Sequence, residues 1–466
     1  MSKSVAMLLV LVSLIASCII VPLPVNAGSK TLIVPDDYST IQEAIDAASD
    51  GDTIFVKKGT YEGPINQTLV IDKSISLIGE DVNSTKMSLH PPLVPMSIFT
   101  YTYMGYAEPI RITASDVEIS GFTIITVGGG ISATGNGTKI KGNILSMSVS
   151  VNGKRTKIIG NIMSQYSGIR ISGDNNVIAQ NSMLQGGTSF ISCTGSFNLI
   201  EGNSIVGSTS SESLDIDGSF NVIYGNTLTD CGRIALGAPP VYVECEGNII
   251  ARNKLTNSSG IHIRGSSNII CANRITNSSA ALEIFRGDNN TFYANHIVNN
   301  TFGARVGFDQ TDISRQSGPS TVQNTLYHNN FIGNGQQGID WNWVGTNSWD
   351  NGKQGNYWGD YTGGDWNFDG IGDASYKLSE AVSFYAPSTQ SEDRYPLMTP
   401  FDIDSVTVKL PEWASSLLSS VLSPPPTAAP TKPEPEPFPT NLIIAPITSA
   451  IVIGIGLLLY FKKLKH

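Results

Sequence analysis

The sequence predicts an all-β fold, a right-handed parallel β-helix, and three observations carry that prediction. A short motif recurs at intervals of about 22 residues, the apolar residues alternate over very short stretches, and the composition combines 46 glycines with only 15% charged residues in 466. A repeat of that length is one supersecondary unit that cannot bury its own apolar face, so many copies must stack.

The motif reads Asn, apolar, Ile or Phe, two variable residues, Asn. Its copies begin at Asn176, Asn198, Asn221, Asn248, Asn268, Asn290 and Asn324, with Thr138 and Thr156 opening two earlier ones. The second position steps through Asn143, Asn161, Asn181, Asn203, Asn226, Asn253, Asn273, Asn295 and Asn329. Two steps, from Asn226 to Asn253 and from Asn295 to Asn329, are longer than the rest and imply loops inserted into a coil. Alternation such as Ile169-Arg170-Ile171 and Ile261-His262-Ile263 reads as strand, not as the helical half of a leucine-rich repeat. Coils stacked at about 4.8 Å would place each Asn over the next, exchanging amide hydrogen bonds.

Both ends of a solenoid need covering. Ser39-Thr40-Ile41-Gln42 opens a short helix, with Ile41, Ala44, Ile45 and Ala48 on one face and Gly51 ending it. At the other end Trp341, Trp343, Trp349, Trp358 and Trp366 cluster. Closing the last coil is the reading preferred here, and stacking on sugar rings, with Trp341 and Trp343 as ligand-binding residues, is the alternative.

Lys3, the apolar run Val5–Val21 and Val25-Asn26-Ala27 predict a signal peptide over residues 1–27, cleaved after Ala27. Ile15-Ala16-Ser17-Cys18 offers a lipobox as the competing reading. Leu442–Phe461 is an uncharged, largely apolar run long enough to span a bilayer core, and Lys462, Lys463 and Lys465 follow it. It predicts a single transmembrane helix with a cytoplasmic basic tail over 462–466. Eight of the sixteen residues from Pro424 to Pro439 are proline, which favours an extended stalk of roughly 50 Å. The expected organisation is therefore N-terminal cap and first strands over 28–65, repeats over 66–340, C-terminal cap over 341–400, membrane-proximal segment and stalk over 401–441, and span over 442–461. The ectodomain is expected outside the cell and the C-terminus inside.

The net charge of −10 and the lack of a basic patch interleaved with aromatics argue against nucleic acid as a partner. Cys193, Cys231, Cys245 and Cys271 lack zinc spacing. They are expected as buried small residues, with disulfides open to an exported chain. Asn-x-Ser/Thr occurs at Asn66, Asn83, Asn136, Asn257, Asn277, Asn289 and Asn299, each a potential glycan acceptor outside the cell.

The entry segment from Ile41 to Tyr61, the Asn repeats, and above all Asn356-Tyr357-Trp358-Gly359-Asp360-Tyr361 with Asp393-Arg394-Tyr395-Pro396-Leu397 resemble NosD-like surface proteins, many of them archaeal. They resemble also the wider carbohydrate-binding and sugar-hydrolase β-helix repeats. The resemblance covers about Thr31 to Thr399. It implies a parallel β-helix and, through NosD itself, copper delivery to an envelope enzyme. Copper sites draw on clustered His, Cys or Met, whereas His90, His262, His296, His328 and His466 are scattered. The catalytic segments of pectin methylesterases are absent.

Two constellations carry chemistry. Asp365-x-Asn367-x-Asp369-Gly370-Ile371-Gly372-Asp373 matches the first nine positions of an EF-hand-type loop and predicts a structural Ca²⁺, although Tyr376 stands where the bidentate Glu is expected. Glu380 and Asp393 are the carboxylates available to complete the shell, and a metal-free Asx turn is the alternative. Aligning the coils by their Asn gives an outward row reading Arg170/Ser172, Ser192/Thr194, Asp215/Asp217, Tyr242/Glu244 and His262/Arg264, then Glu283 and Arg286. Asp215, Asp217, Glu244, His262 and Arg264 would serve acid–base chemistry on a polysaccharide, with Tyr242 stacking on a sugar; a solvated face of cross-coil ion pairs is the plainer alternative. The function expected first is a non-catalytic module binding an extracellular polysaccharide or cell-envelope glycan. A polysaccharide lyase or glycoside hydrolase, or a NosD-like accessory factor, are its rivals.

Overall fold

The computed structural model describes residues 28–63, 65–98, 101–164, 167–184, 190–237, 245–307, 323–341, 347–379 and 391–421. The expected signal peptide, stalk and membrane span lie outside these residues. Among them no helix is long and apolar enough to cross a membrane.

The described strands form three long parallel sheets wound into a right-handed solenoid. The first runs from Thr31–Val34 to Thr325–Tyr327, the second from Gly59–Glu62 to Tyr357–Trp358, and the third from Leu69–Ile71 to Gln336–Asp340. Each coil visits them in that order. In the first sheet register is one-to-one between coils, so like residues stack. Ile119, Ile140, Ile158, Ile178, Ile200, Ile223, Ile250, Ile270, Phe292 and Leu326 form one inward column of the first sheet, and none is more than 1% exposed. Full burial of each such side chain is worth about 1.5–3 kcal/mol.

Both Asn positions of the motif build ladders. In one, the Nδ2 and N–H of each Asn donate to the Oδ1 of the next from Asn143 through Asn329 to Asn356, at 2.8–3.1 Å. In the other, Asn198 donates to Asn221, Asn248 to Asn268, and so on to Asn324 and Asn347. The residue before each rung from Asn143 to Asn329 is left-handed, as at Gln180 (φ 56), Arg252 (φ 55) and Ala294 (φ 54), so these rungs follow tight corners. The Asn side chain satisfies the backbone groups that the corner leaves inside. Five of the seven Asn-x-Ser/Thr asparagines, Asn66, Asn257, Asn277, Asn289 and Asn299, sit at such left-handed positions. Corner geometry accounts for asparagine there.

The short helix forms at Ile41–Ala47 with a full capping box between Thr40 and Glu43, and buries Ile41, Ala44 and Ile45. Gln42 exchanges hydrogen bonds with the Val70 backbone. At the far end Trp349 and Trp358 are 1% exposed, with Trp358 stacked between Phe331 at 4.5 Å and Tyr376 at 4.2 Å. The last rung, Asn356, donates its N–H to Asp393 Oδ2 at 2.6 Å, and Trp358 Nε1 donates to the same oxygen at 2.8 Å. Asp393 thus stands where the next Asn would be. The Trp cluster divides: Trp366 is 83% exposed, Trp341 is half-buried, and Trp343 lies outside the described residues.

In the membrane-proximal segment, for which the sequence suggests no element, the chain keeps a defined path from residue 401 to residue 421. It runs back along the outer face of the first sheet. Arg274 Nη2 donates to both Asp404 oxygens at 2.9 and 2.7 Å and Arg252 Nη2 donates to the Val406 carbonyl at 2.7 Å. The helix Glu412–Val421 then sets Ala414, Trp413 and Leu417 on an apolar patch of Val177, Leu199, Val222 and Cys271. Cys193, Cys231, Cys245 and Cys271 are all buried.

Candidate functional site on the third sheet

The outward row of the third sheet reads Arg170, Ser192, Asp215, Ala235, His262, Glu283 and Arg305 in consecutive coils. Alternation forces this row outward, because Ile169, Ile191, Leu214, Ile234, Ile261 and Leu282 fill the interior beside it. Asp215, Asp217, His262 and Arg264 therefore lie on one face. Tyr242 and Glu244 do not take the rung expected of them. The strand between Asp215 and His262 is Arg233–Leu236, with Ala235 in the row. The insertion in this coil follows that strand instead of preceding it, and residues 238–244, which hold Tyr242 and Glu244, lie outside the described residues. Glu283 and Arg286 both join the face because a bulge at Phe285 lets Glu283 pair with His262 and Arg286 with Arg264.

Three side chains unforeseen in the sequence, Arg233, Glu212 and Arg305, complete the site. Arg233 joins Glu212 and donates from Nη1 to His262 Nδ1 at 3.0 Å. His262 Nε2 lies 2.6 Å from Glu283 Oε2 and 3.0 Å from the Ser259 carbonyl, and Arg305 joins the other Glu283 oxygen. A guanidinium only donates, so His262 Nδ1 must accept and its proton sits on Nε2. Burial, and then Arg233, push the imidazole down to about 3, which keeps it neutral. Glu283 is 1% exposed although it faces outward. The signal for Arg233 was present in the sequence, as Ile234-x-Leu236 is an inward pair; Glu212 and Arg305 carry no sequence mark.

Beside this chain, Asp215 and Asp217 share one strand face. Burial, followed by Asp217 and Glu212, raises Asp215 to about 6 against the pull of Arg233 and Arg170. Its Oδ1 is buried without a hydrogen-bond partner among the described residues. A carboxyl with that midpoint can exchange a proton near neutrality. Same-face positions two residues apart on a strand are roughly 6.6 Å apart. Arg264 lies over Phe285 at 4.9 Å and Arg170 over Phe190 at 5.4 Å.

The loop 365–373 is a closed turn. Asp365 accepts from the N–H groups of Asp369 at 3.2 Å and Gly370 at 2.9 Å, Asn367 Nδ2 donates to Asp369 Oδ2 at 3.0 Å, and Asp373 accepts from the Trp366 N–H at 2.5 Å. Among the described residues no three His, Cys, Asp or Glu side chains are grouped as metal ligands.

Fold and face together define a parallel β-helix protein whose third sheet carries an outward cluster of ionisable residues. The chain belongs to the NosD family, whose model, described as periplasmic copper-binding protein, matches residues 96–306 and 241–363. No curated protein matches it. Among solved structures, the catalytic domain of a GH87 alpha-1,3-glucanase in complex with tetrasaccharides is similar at a TM-score of 0.54 and 12% identity, over 71% of this chain and 69% of that one. This likeness shows the shared fold. A PL6 alginate lyase in complex with a trisaccharide follows at a TM-score of 0.48 and 14% identity, over 65% of this chain and 79% of that one. The A-module of the Azotobacter vinelandii mannuronan C-5 epimerase follows at 0.43 and 14%, over 69% and 96%.

Among the described residues, the side chains present do not fit a copper centre. His90 bonds Glu62, His262 is locked between Arg233 and Glu283, and His328 bonds Gln354 and stacks on Phe401. Burial pushes the Cys193 thiol up to about 12 and Cys245 up to about 11, far from the thiolate that a soft metal needs.

Proposed function

We propose that the protein is an exported, membrane-anchored β-helix whose third sheet binds an extracellular or cell-envelope polysaccharide. The observation that carries this reading is the convergence of Asp215, Asp217, Arg233, His262, Arg264 and Glu283 on one outward face. Extended repetitive surfaces suit extended ligands, and a glucanase of the same fold is seen with tetrasaccharides. Arginine and carboxylate side by side would hydrogen-bond sugar hydroxyls without a strong preference for charged glycans.

A second reading makes this face catalytic. It is favoured by the raised Asp215 beside Asp217 on one strand face, a pair of carboxyl groups of the kind glycoside hydrolysis uses. Copper delivery is not part of the proposal. A structural Ca²⁺ on Asp365, Asn367, Asp369 and Asp373 is, supported by oxygen donors at alternate positions of one turn. A polysaccharide panel on the purified protein, with product analysis, tests both readings. Binding without product, weakened by Asp215→Ala and Arg264→Ala, supports the binding module. Product formation abolished by Asp215→Asn with binding retained supports the enzyme. No binding to any glycan overturns both.

A further inference from the structure

Trp366 and Phe368 are the two most exposed large apolar side chains among the described residues, at 83% and 89%. They flank Asn367 on the closing segment. The turn that carries them is held firmly. Tyr361 Oη donates to the Ala374 carbonyl at 2.6 Å, Gly372 N–H to Pro396 at 2.8 Å, Met398 N–H to Gly370 at 3.0 Å and Asp373 N–H to Gly364 at 2.9 Å. Gly363 and Gly372 close on the Tyr361 hydroxyl so tightly that a Cβ at either would lie 2.1 Å from it. The Trp366 indole lies against Gly364, where a Cβ would meet its Cε2 and Nε1 at 3.1 Å. One side of the indole therefore has a backbone floor while most of the ring stays open. Phe368 occupies a left-handed conformation, φ 59, which is costly for a bulky residue. An exposed phenyl ring at a strained position contributes nothing to the core, and such outliers gather at functional positions.

We propose that Trp366 and Phe368 form a sugar-stacking platform at the C-terminal end of the solenoid, a second carbohydrate contact separate from the third-sheet face. It shares its ligand class and the 365–373 turn with the preceding proposals. The pyranose is held by the ring faces, while Asn367 and Asp369 keep their bonds within the turn. Two other occupants fit less well. A bilayer surface would meet Asp365, Asp369 and Asp373 with no Lys or Arg from Asp360 to Tyr376, the reverse of what anionic headgroups attract. A second copy of the chain would need about 800 Å² per partner, whereas two aromatic side chains supply about 150–250 Å² each.

The test uses the full chain in a nonionic detergent, titrated with hexasaccharides of β-1,4-linked glucose, N-acetylglucosamine and mannuronate. Saturation-transfer NMR and tryptophan fluorescence report binding. Trp366→Ala and Phe368→Ala should each weaken binding of at least one hexasaccharide by about tenfold, with the melting temperature unchanged and Trp366→Phe restoring most of the loss. Asp215→Ala separates the two surfaces. If it weakens binding while the aromatic variants do not, the platform is wrong and the third-sheet proposal stands. If only the aromatic variants weaken it, the reverse holds. No binding to any hexasaccharide, loss of binding instead to vesicles of phosphatidylcholine and phosphatidylglycerol, or a dimer that Trp366→Ala dissociates would each overturn the platform.

Discussion

Replacing Asn226 by Ala removes one rung from the middle of a ladder, and its cost follows from the bonds that rung makes. Its Oδ1 accepts from the Asn203 N–H and Nδ2, both at 2.9 Å, and its Nδ2 donates to the Ile200 carbonyl at 2.9 Å and to Asn253 Oδ1 at 3.0 Å. Truncation leaves the Asn203 N–H buried without its acceptor, about 1–3 kcal/mol. The lost Nδ2 bonds to Ile200 and Asn253 add about 1 kcal/mol each. The sum is about 3–5 kcal/mol, large beside the marginal stability of any domain. Asn226→Asp should do no better, because a carboxylate would then face Asn253 Oδ1 and the Ile200 carbonyl. Asn83→Ala, on an exposed side chain, is the control and should stay within about 0.5 kcal/mol. Denaturant unfolding followed by circular dichroism measures the loss. Hydrogen exchange locates it: coils interact with nearest neighbours, so protection should fall first around Asn203 and Asn253. An Asn226→Ala protein no less stable than the Asn83→Ala control, or one whose Asn203 amide exchanges no faster than in the parent, would refute the ladder as a source of stability.

Glu283→Ala removes the buried carboxylate shared by His262 and Arg305 and should cost about 3–5 kcal/mol in the same unfolding assay, whereas Glu283→Leu paired with Arg305→Met should cost much less. Asp215 is raised when folded, so its contribution to stability is complete below pH about 4 and is lost as pH rises through about 6. Allowing for the solvent that still reaches the group, the loss is about 1–1.5 kcal/mol; Asp215→Asn should flatten that part of the stability–pH curve, and an unchanged curve would deny the shift. Calcium at a hundredfold excess over Kd should stabilise the native state by about 2.7 kcal/mol. Chelation should expose the 347–398 region to protease and Asp369→Ala should remove both effects, while calorimetry showing no binding at millimolar calcium would reduce the loop to a turn.

The sequence alone determined the solenoid, because a regular period with alternating apolar residues leaves one way to bury an apolar face. It also located the rungs, since a buried Asn repeated once per coil can only be satisfied by its neighbours. It marked the opening helix, although the capping box read at Ser39 and Gln42 stands one residue on, at Thr40 and Glu43, and it marked the residues of the last coil through Trp349, Trp358 and Asp393. Tertiary structure decided what depends on register and insertion. The long step from Asn226 to Asn253 does not say on which side of a strand the extra residues fall, which is why Ala235 stands where Tyr242 and Glu244 were expected. The Arg233, His262, Glu283 and Arg305 chain takes one residue from each of four successive coils, and only coil stacking brings them together. The division of the Trp cluster into buried Trp349 and Trp358 and exposed Trp366 follows from the path of a glycine-rich turn, which hydropathy does not encode. The helix Glu412–Val421 is too short to announce itself, and it forms where the outer face of the first sheet offers Val177, Leu199 and Val222 a cover. Local pattern fixes what a repeat does with its neighbour, whereas contacts between distant segments depend on free energies that no single segment carries.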